Sequence, residues 1–231
     1  MSDWQCYKST EQLDQALAEH IAVRLQDDIA SYGQASLAVS GGGTPKNMFR
    51  LLSRTELDWS CVWVTLVDER WVGAEHADSN ERLVRENLLQ NAAAGAHFVS
   101  LKSQHDNAEQ GLAEVTARLS ELQFPLSMVV LGMGGDGHTA SWFPQAVNLQ
   151  KLLQQSNKAL LGASDPVTAP HQRITLTLSA VLNSRDIAIH ITGEEKKDVL
   201  ERASAQSYPI AAILQQQQNP ATIWWAPDPA G

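Results

Sequence analysis

The stretch Leu126–Ala140 reads LSMVVLGMGGDGHTA, and its two halves decide the fold. Leu126–Leu131 is an apolar run without polar alternation, as expected of a strand covered on both faces in a parallel sheet. A glycine-rich turn closes it. The same grammar recurs upstream. Ala35–Ser40 (ASLAVS) runs into Gly41-Gly42-Gly43-Thr44-Pro45, and Cys61–Asp68 (CVWVTLVD) runs into Glu69-Arg70-Trp71.

Helical periodicity fills the intervals. Leu13, Leu17, Ile21, Leu25 and Ile29 share one face over residues 10–32, and Ser9 with Gln12 forms a capping box. Ala108, Leu112, Val115, Leu119 and Leu122 mark a second helix, and further helices are expected over residues 79–90 and from Glu194 to about Ala205. Thr44 is expected to cap a helix with Pro45 at its first position. Other strands are expected at the N-terminus and near residues 97–101, 158–162, 174–177, 186–192 and 222–225. The alternation predicts an α/β fold: a doubly wound, mostly parallel sheet with helices on both faces, as one domain over residues 1–231. The Gln215–Gln218 tract reads as a surface turn before the last strand.

Bulk properties narrow the function. Seventeen Lys+Arg against 26 Asp+Glu give a net charge of −9, which repels nucleic acid and anionic membrane surfaces, so neither is expected as a partner. An anionic substrate must then be captured by a local site. Cys6 and Cys61 offer neither zinc spacing nor a disulfide ladder and read as buried, reduced thiols. The N-terminus lacks a signal-peptide core and no apolar run would span a bilayer, so a soluble, cytoplasmic protein is expected.

In such sheets ligands bind beyond the carboxyl ends of the strands. Ser40, Gly41, Gly42, Gly43 and Thr44 would cradle a phosphate there, since glycines admit close approach and a helix start offers free N–H groups. The stretch lacks the Gly-Lys-Ser/Thr of a Walker A loop. Arg70 can fork onto a phosphate, Asp68 can accept from sugar hydroxyls or orient Arg70, and Asn80 can reach the same cleft.

Gly132, Gly134 and Gly137 spell G-x-G-x-x-G after a strand and before an expected helix, but mid-chain and without a ribose-binding acid about 20 residues on, so a dinucleotide site is rejected. Asp136 and His138 inside and after that turn suit water activation. They supply a base near neutrality, an orienting carboxylate and, in the turn, N–H donors for an oxyanion; Asp136 as the base with His138 as the acid is the alternative. Arg173 and Lys196 are candidate extra cations for a dianion. No metal ligand set is visible in the sequence.

SGGGTP, DERWV with its downstream Ser-Asn, LGMGGDGHTASWFP, RITLT and GEEK, in this order from residue 40 to residue 196, resemble the 6-phosphogluconolactonase family. That family lies in the wider glucosamine-6-phosphate deaminase/lactonase-like fold group, with ribose-phosphate isomerase-like architecture. The resemblance implies hydrolysis of 6-phospho-D-glucono-1,5-lactone to 6-phosphogluconate in the oxidative pentose phosphate pathway. It implies Asp136 and His138 as the catalytic pair, Ser40–Thr44 as the phosphate loop, and Arg70 and Lys196 at the phosphate or sugar acid. Asp68, Asn80, Gly134 and Arg173 join them in the substrate site. No cofactor and no metal are implied, and a monomer or weak homodimer is expected. Trp142 stands where relatives more usually carry leucine. Deaminases and isomerases of the fold are the alternative, but the deaminases carry tyrosine or similar at position 70 and glutamate at position 143, where this chain has Arg70 and Phe143. A non-catalytic sugar-phosphate sensor is the third reading.

Overall fold

The computed structural model describes residues 3–228. Its strands are β1 (Asp3–Cys6), β2 (Ala35–Val39), β3 (Val62–Leu66), β4 (Asp68–Arg70), β5 (His97–Val99), β6 (Met128–Leu131), β7 (Leu161–Ser164), β8 (Arg173–Leu176), β9 (Ile187–Thr192) and β10 (Thr222–Ala226). Its helices are α1 (Thr10–Tyr32), α2 (Lys46–Leu52), α3 (Asn80–Asn87), α4 (Ala108–Arg118), α5 (Leu149–Leu152), α6 (Leu178–Leu182), α7 (Glu194–Arg202) and α8 (Ala211–Gln215).

Seven strands form one parallel sheet in the order β1-β10-β9-β6-β2-β3-β5, the doubly wound arrangement that the sequence predicts. Every residue of β2 and β6 is buried, which is why neither strand alternates. These two pair at the centre, Leu37 opposite Met128 and Val39 opposite Val130. From β2 the chain winds outward through β3, whereas β6 leads to β9 on the other side, so their carboxyl ends bound a switch point. The loops diverging there are the two glycine turns.

Ser9 caps α1, its Oγ accepting from Gln12 N–H, and Gly33 ends the helix in left-handed backbone. Leu13, Leu17, Ile21 and Leu25 bury the face that packs on β2, β6 and β10. Leu17→Ala is expected to cost about 2–5 kcal/mol, because a fully buried leucine leaves a cavity that a helix on a sheet cannot close. Urea denaturation of the variant would measure it.

Several expectations need correction. CVWVTLVD is not one strand. It breaks at Val67, which donates to Val39 O and accepts from Leu176 N–H. Asp68–Arg70 then joins a separate antiparallel sheet, β4-β8-β7, with Arg70 directly opposite Arg173. Thr44 makes no capping bond; α2 starts at Lys46 behind Pro45. No helix follows the Gly132–Gly137 turn. Ala140 at φ 48° and Pro144 interrupt helical backbone there, and the next helix is α5. The strand expected near 158–162 lies at Leu161–Ser164. Gln215 ends the unanticipated α8 and Gln216 is buried, its amide clasping Ile213 O and Asn219 N–H, so this tract is an anchored turn. Cys6 is exposed and Cys61 half-buried, contrary to the buried thiols expected. No helix among the described residues is long and apolar enough to cross a membrane.

Candidate active site

A cleft of about 200 Å³ opens where the β2 and β6 loops diverge. Ser40, Gly41, Gly42 and Thr44 form one wall. Gly134 and His138 form the opposite one, and Asp68, Arg70 and Asn80 close the side. The remaining candidates stand just behind. Gly43 turns the chain into α2, with its carbonyl accepting from Lys46 N–H. Asp136 backs His138, Arg173 backs Arg70, and Lys196 Nζ lies 3.6 Å from where a side chain on Gly135 would begin.

Ser40 joins the two loops: its Oγ accepts from Gly132 N–H at 3.0 Å, while its own N–H donates to Val130 O. Gly41 has to be glycine for lack of space, since a Cβ there would fall 1.9 Å from Asn80 Oδ1. Asn80 is fixed in turn by donating Nδ2–H to Asp68 O at 2.8 Å.

Glu69, 1% exposed, organises this corner. Its carboxylate accepts from the N–H groups of Arg70, Asn80 and Glu81 and from Ser79 Oγ–H, capping α3 from outside the helix. Burial pushes its carboxyl up, and the main-chain donors pull it back. Asp68 accepts from Ser141 Oγ–H at 2.6 Å. Ser141 and Glu69 are positioning residues that motif reading left unassigned; the Asp-Glu pair was visible, but its partners lie in other elements.

The catalytic candidates form a tight pair. Asp136 Oδ1 lies 2.5 Å from His138 Nδ1 and also accepts from His138 N–H at 3.2 Å. Burial alone would raise the Asp136 carboxyl, but the adjacent His138 and the hydrogen bonds from its ring and N–H outweigh it and hold the group below the usual carboxylate range. The ionised carboxylate therefore fixes a proton on Nδ1. Nε2 makes no hydrogen bond among the described residues and is left for the cleft. The Phe143 ring stacks on the imidazole at 4.4 Å, and Phe143 in turn lies under Arg173.

Three of the turn's N–H groups that the sequence offers to an oxyanion, those of Gly132, Gly134 and Gly137, are already engaged. They are spent on Ser40 Oγ, His138 O and Gly134 O. Among the cleft's cations, Arg70 donates to Asp78 O and faces Arg173 across the β4–β8 ladder. Like charges directly opposite are unfavourable. Arg173 is 4% exposed with Nε and Nη1 unpartnered, and burial together with Arg70 presses its guanidinium below its usual range. Such a pair suits an anion. At the cleft floor lies His190, whose imidazole faces the buried carboxylate of Asp14 on α1, Nε2 3.2 Å from Oδ1. A histidine inside the otherwise apolar β9 was the only signal for it.

Fold and site together define a doubly wound α/β protein with a carboxylate–imidazole pair and an arginine-bearing cleft at the switch point. The profile of the Glucosamine-6-phosphate isomerases/6-phosphogluconolactonase family matches residues 8–224, and the chain belongs to that family. It is 44% identical over 225 residues to the 6-phosphogluconolactonase of Rhizobium meliloti, covering 96% of this chain and 97% of that one. A 6-phosphogluconolactonase of Neisseria meningitidis is 40% identical over 229 residues, covering 96% and 98%. The crystal structure of a 6-phosphogluconolactonase from Shewanella baltica superposes with a TM-score of 0.95 at 46% identity, covering 98% of each chain. Within its family the chain stands with the lactonases, which are carboxylic ester hydrolases.

Proposed function

We propose that the chain is a cytoplasmic hydrolase of 6-phospho-D-glucono-1,5-lactone, forming 6-phosphogluconate in the oxidative pentose phosphate pathway. In this reading a single domain over residues 1–231 carries the activity, with His138 activating water. The observation that carries it is the Asp136–His138 pair, whose Nε2 is free at the cleft wall.

The phosphate binds the Ser40–Thr44 loop with Arg70, Arg173 and Lys196, while Asp68 and Asn80 hold sugar hydroxyls and Gly134 packs beneath the imidazole. Neutral His138 takes a proton through Nε2 as water attacks the lactone carbonyl carbon. Asp136 stabilises the imidazolium that forms, and the remaining N–H groups of the Gly132–Gly137 turn, or Arg70, meet the tetrahedral oxyanion. Collapse breaks the bond to the ring oxygen, which takes the proton back from His138. Atoms balance with water alone, so the step needs neither cofactor nor metal. Phe143 argues against deamination: an apolar ring stacks on His138 at the position where the deaminases carry glutamate.

Freshly generated 6-phosphoglucono-δ-lactone, assayed through coupled 6-phosphogluconate formation with chelator present, tests the reading. Rates no faster than spontaneous hydrolysis would remove it, and ammonia release from glucosamine 6-phosphate would favour the deaminase. Arg173→Met separates binding from chemistry. One lost charge-assisted contact is expected to raise KM about 10–100-fold with kcat little changed. The melting temperature should not fall, because the variant also removes buried, unpartnered donors.

A further inference from the structure

We propose that His76, Asp78 and His171 form a site for one transition-metal ion of the Zn2+ class at the rim of the cleft. Asp78 Oδ2 lies 3.0 Å from His171 Nε2 and 3.8 Å from His76 Nδ1, and the three donor atoms all fall within 4.8 Å of one another. Tetrahedral zinc, with bonds of about 2.0–2.2 Å, spaces its ligand atoms about 3.3 Å apart. Sub-ångström shifts therefore suffice to bring the donors around an ion. The imidazoles meet edge to face, with centroids 5.4 Å apart and planes at 78°, so the rings do not stack. All three side chains are partly exposed, which leaves the fourth position to water.

The donor set chooses the metal class. Two imidazoles and one carboxylate suit Zn2+, Co2+, Ni2+ or Cu2+, whereas Ca2+ and Mg2+ require oxygen ligands. Arg70, which donates to Asp78 O, repels any cation held by charge alone and leaves those bound through nitrogen donation. Binding exchanges two hydrogen bonds, from Asp78 N–H to His76 Nδ1 and between His171 Nε2 and Asp78 Oδ2, for metal bonds. The ion would clasp the two segments that carry Arg70 and Arg173, since His171 lies two residues before the latter. None of the three ligands belongs to the Asp136–His138 pair, so the site does not rest on the proposed reaction.

Titration of the chelator-stripped chain with ZnCl2 by calorimetry should give one site per chain, and Co2+ should show the absorption of a tetrahedral centre. His76→Gln and His171→Asn should each weaken binding by about tenfold or more. Asn is chosen at 171 because that residue sits at φ 70°. Should a histidine variant fail to fold, Asp78→Asn, which keeps the main-chain contact to Arg70, reports in its place. Absence of binding below millimolar Zn2+, unchanged affinity in the folded variants, or loss of the site in His138→Ala instead would each overturn the proposal.

Discussion

His138→Ala is expected to lower kcat for lactone hydrolysis by about 10²–10⁴-fold while leaving KM nearly unchanged. The separation follows from position. The groups proposed to hold phosphate and sugar come from the β2 loop, β4, β8, α3 and α7, and none of them uses the imidazole as a support. The imidazole is oriented from its other side, through Nδ1 to Asp136, and its removal leaves Phe143 beneath an empty place. Asp136→Asn should lower kcat as well, since an amide cannot balance the imidazolium and can set the wrong tautomer. The double variant should fall little below His138→Ala, because the two act as a unit. Retention of full activity in His138→Ala would move the base elsewhere and leave the reaction to be explained by binding alone. Stopped-flow rates corrected for spontaneous hydrolysis would decide.

The parts of this site that were legible in the sequence share a local cause. The bounds of α1 follow from Ser9, a long 3.6-residue period and Gly33, all within one segment. The glycine turns were visible because each ends a largely apolar run, and the Asp136–His138 contact spans only two residues. What escaped depends on distant partners. Val62–Val67 is apolar apart from Thr65, so nothing in its composition marks the break at Val67. The opposition of Arg70 to Arg173 is a register between strands separated by much of the chain. Asp78 meets His171 in the same way, which is why no metal ligand set could be read from spacing. The N–H groups of the glycine turn were expected to meet an oxyanion, yet a turn this tight uses three of them to hold itself and Ser40. That leaves the turn's remaining N–H groups, or Arg70 from another strand, for the oxyanion of the proposed reaction.

The second large effect concerns a methyl group. Gly134→Ala is expected to reduce kcat by about 10²-fold without unfolding the protein, because it displaces the pair rather than removing it. A Cβ on Gly134 would fall 2.2 Å from His138 Cε1 and Nδ1 and 2.7 Å from Asp136 Oδ1, too close for any of these atoms to stay. Gly134 does not have positive φ, so alanine adds no backbone strain there, and its N–H bond to His138 O can persist. The imidazole has no simple retreat, since Phe143 stacks on the ring. The pair must therefore tilt or separate, and the 2.5 Å contact that fixes the Nδ1 proton is what lengthens. Gly135→Ala provides the control one residue away. Its Cβ would meet only Glu195 Oε1 at 3.5 Å and Lys196 Nζ at 3.6 Å, which are ordinary contacts with mobile side-chain ends. If both alanines cost the same, the loss belongs to the turn as a whole and the packing of Gly134 against the dyad is not what holds His138. A large loss confined to Gly134→Ala, with melting temperatures matched, would mean that catalysis depends on the placement of the imidazole to within an ångström, which is what a single general base requires.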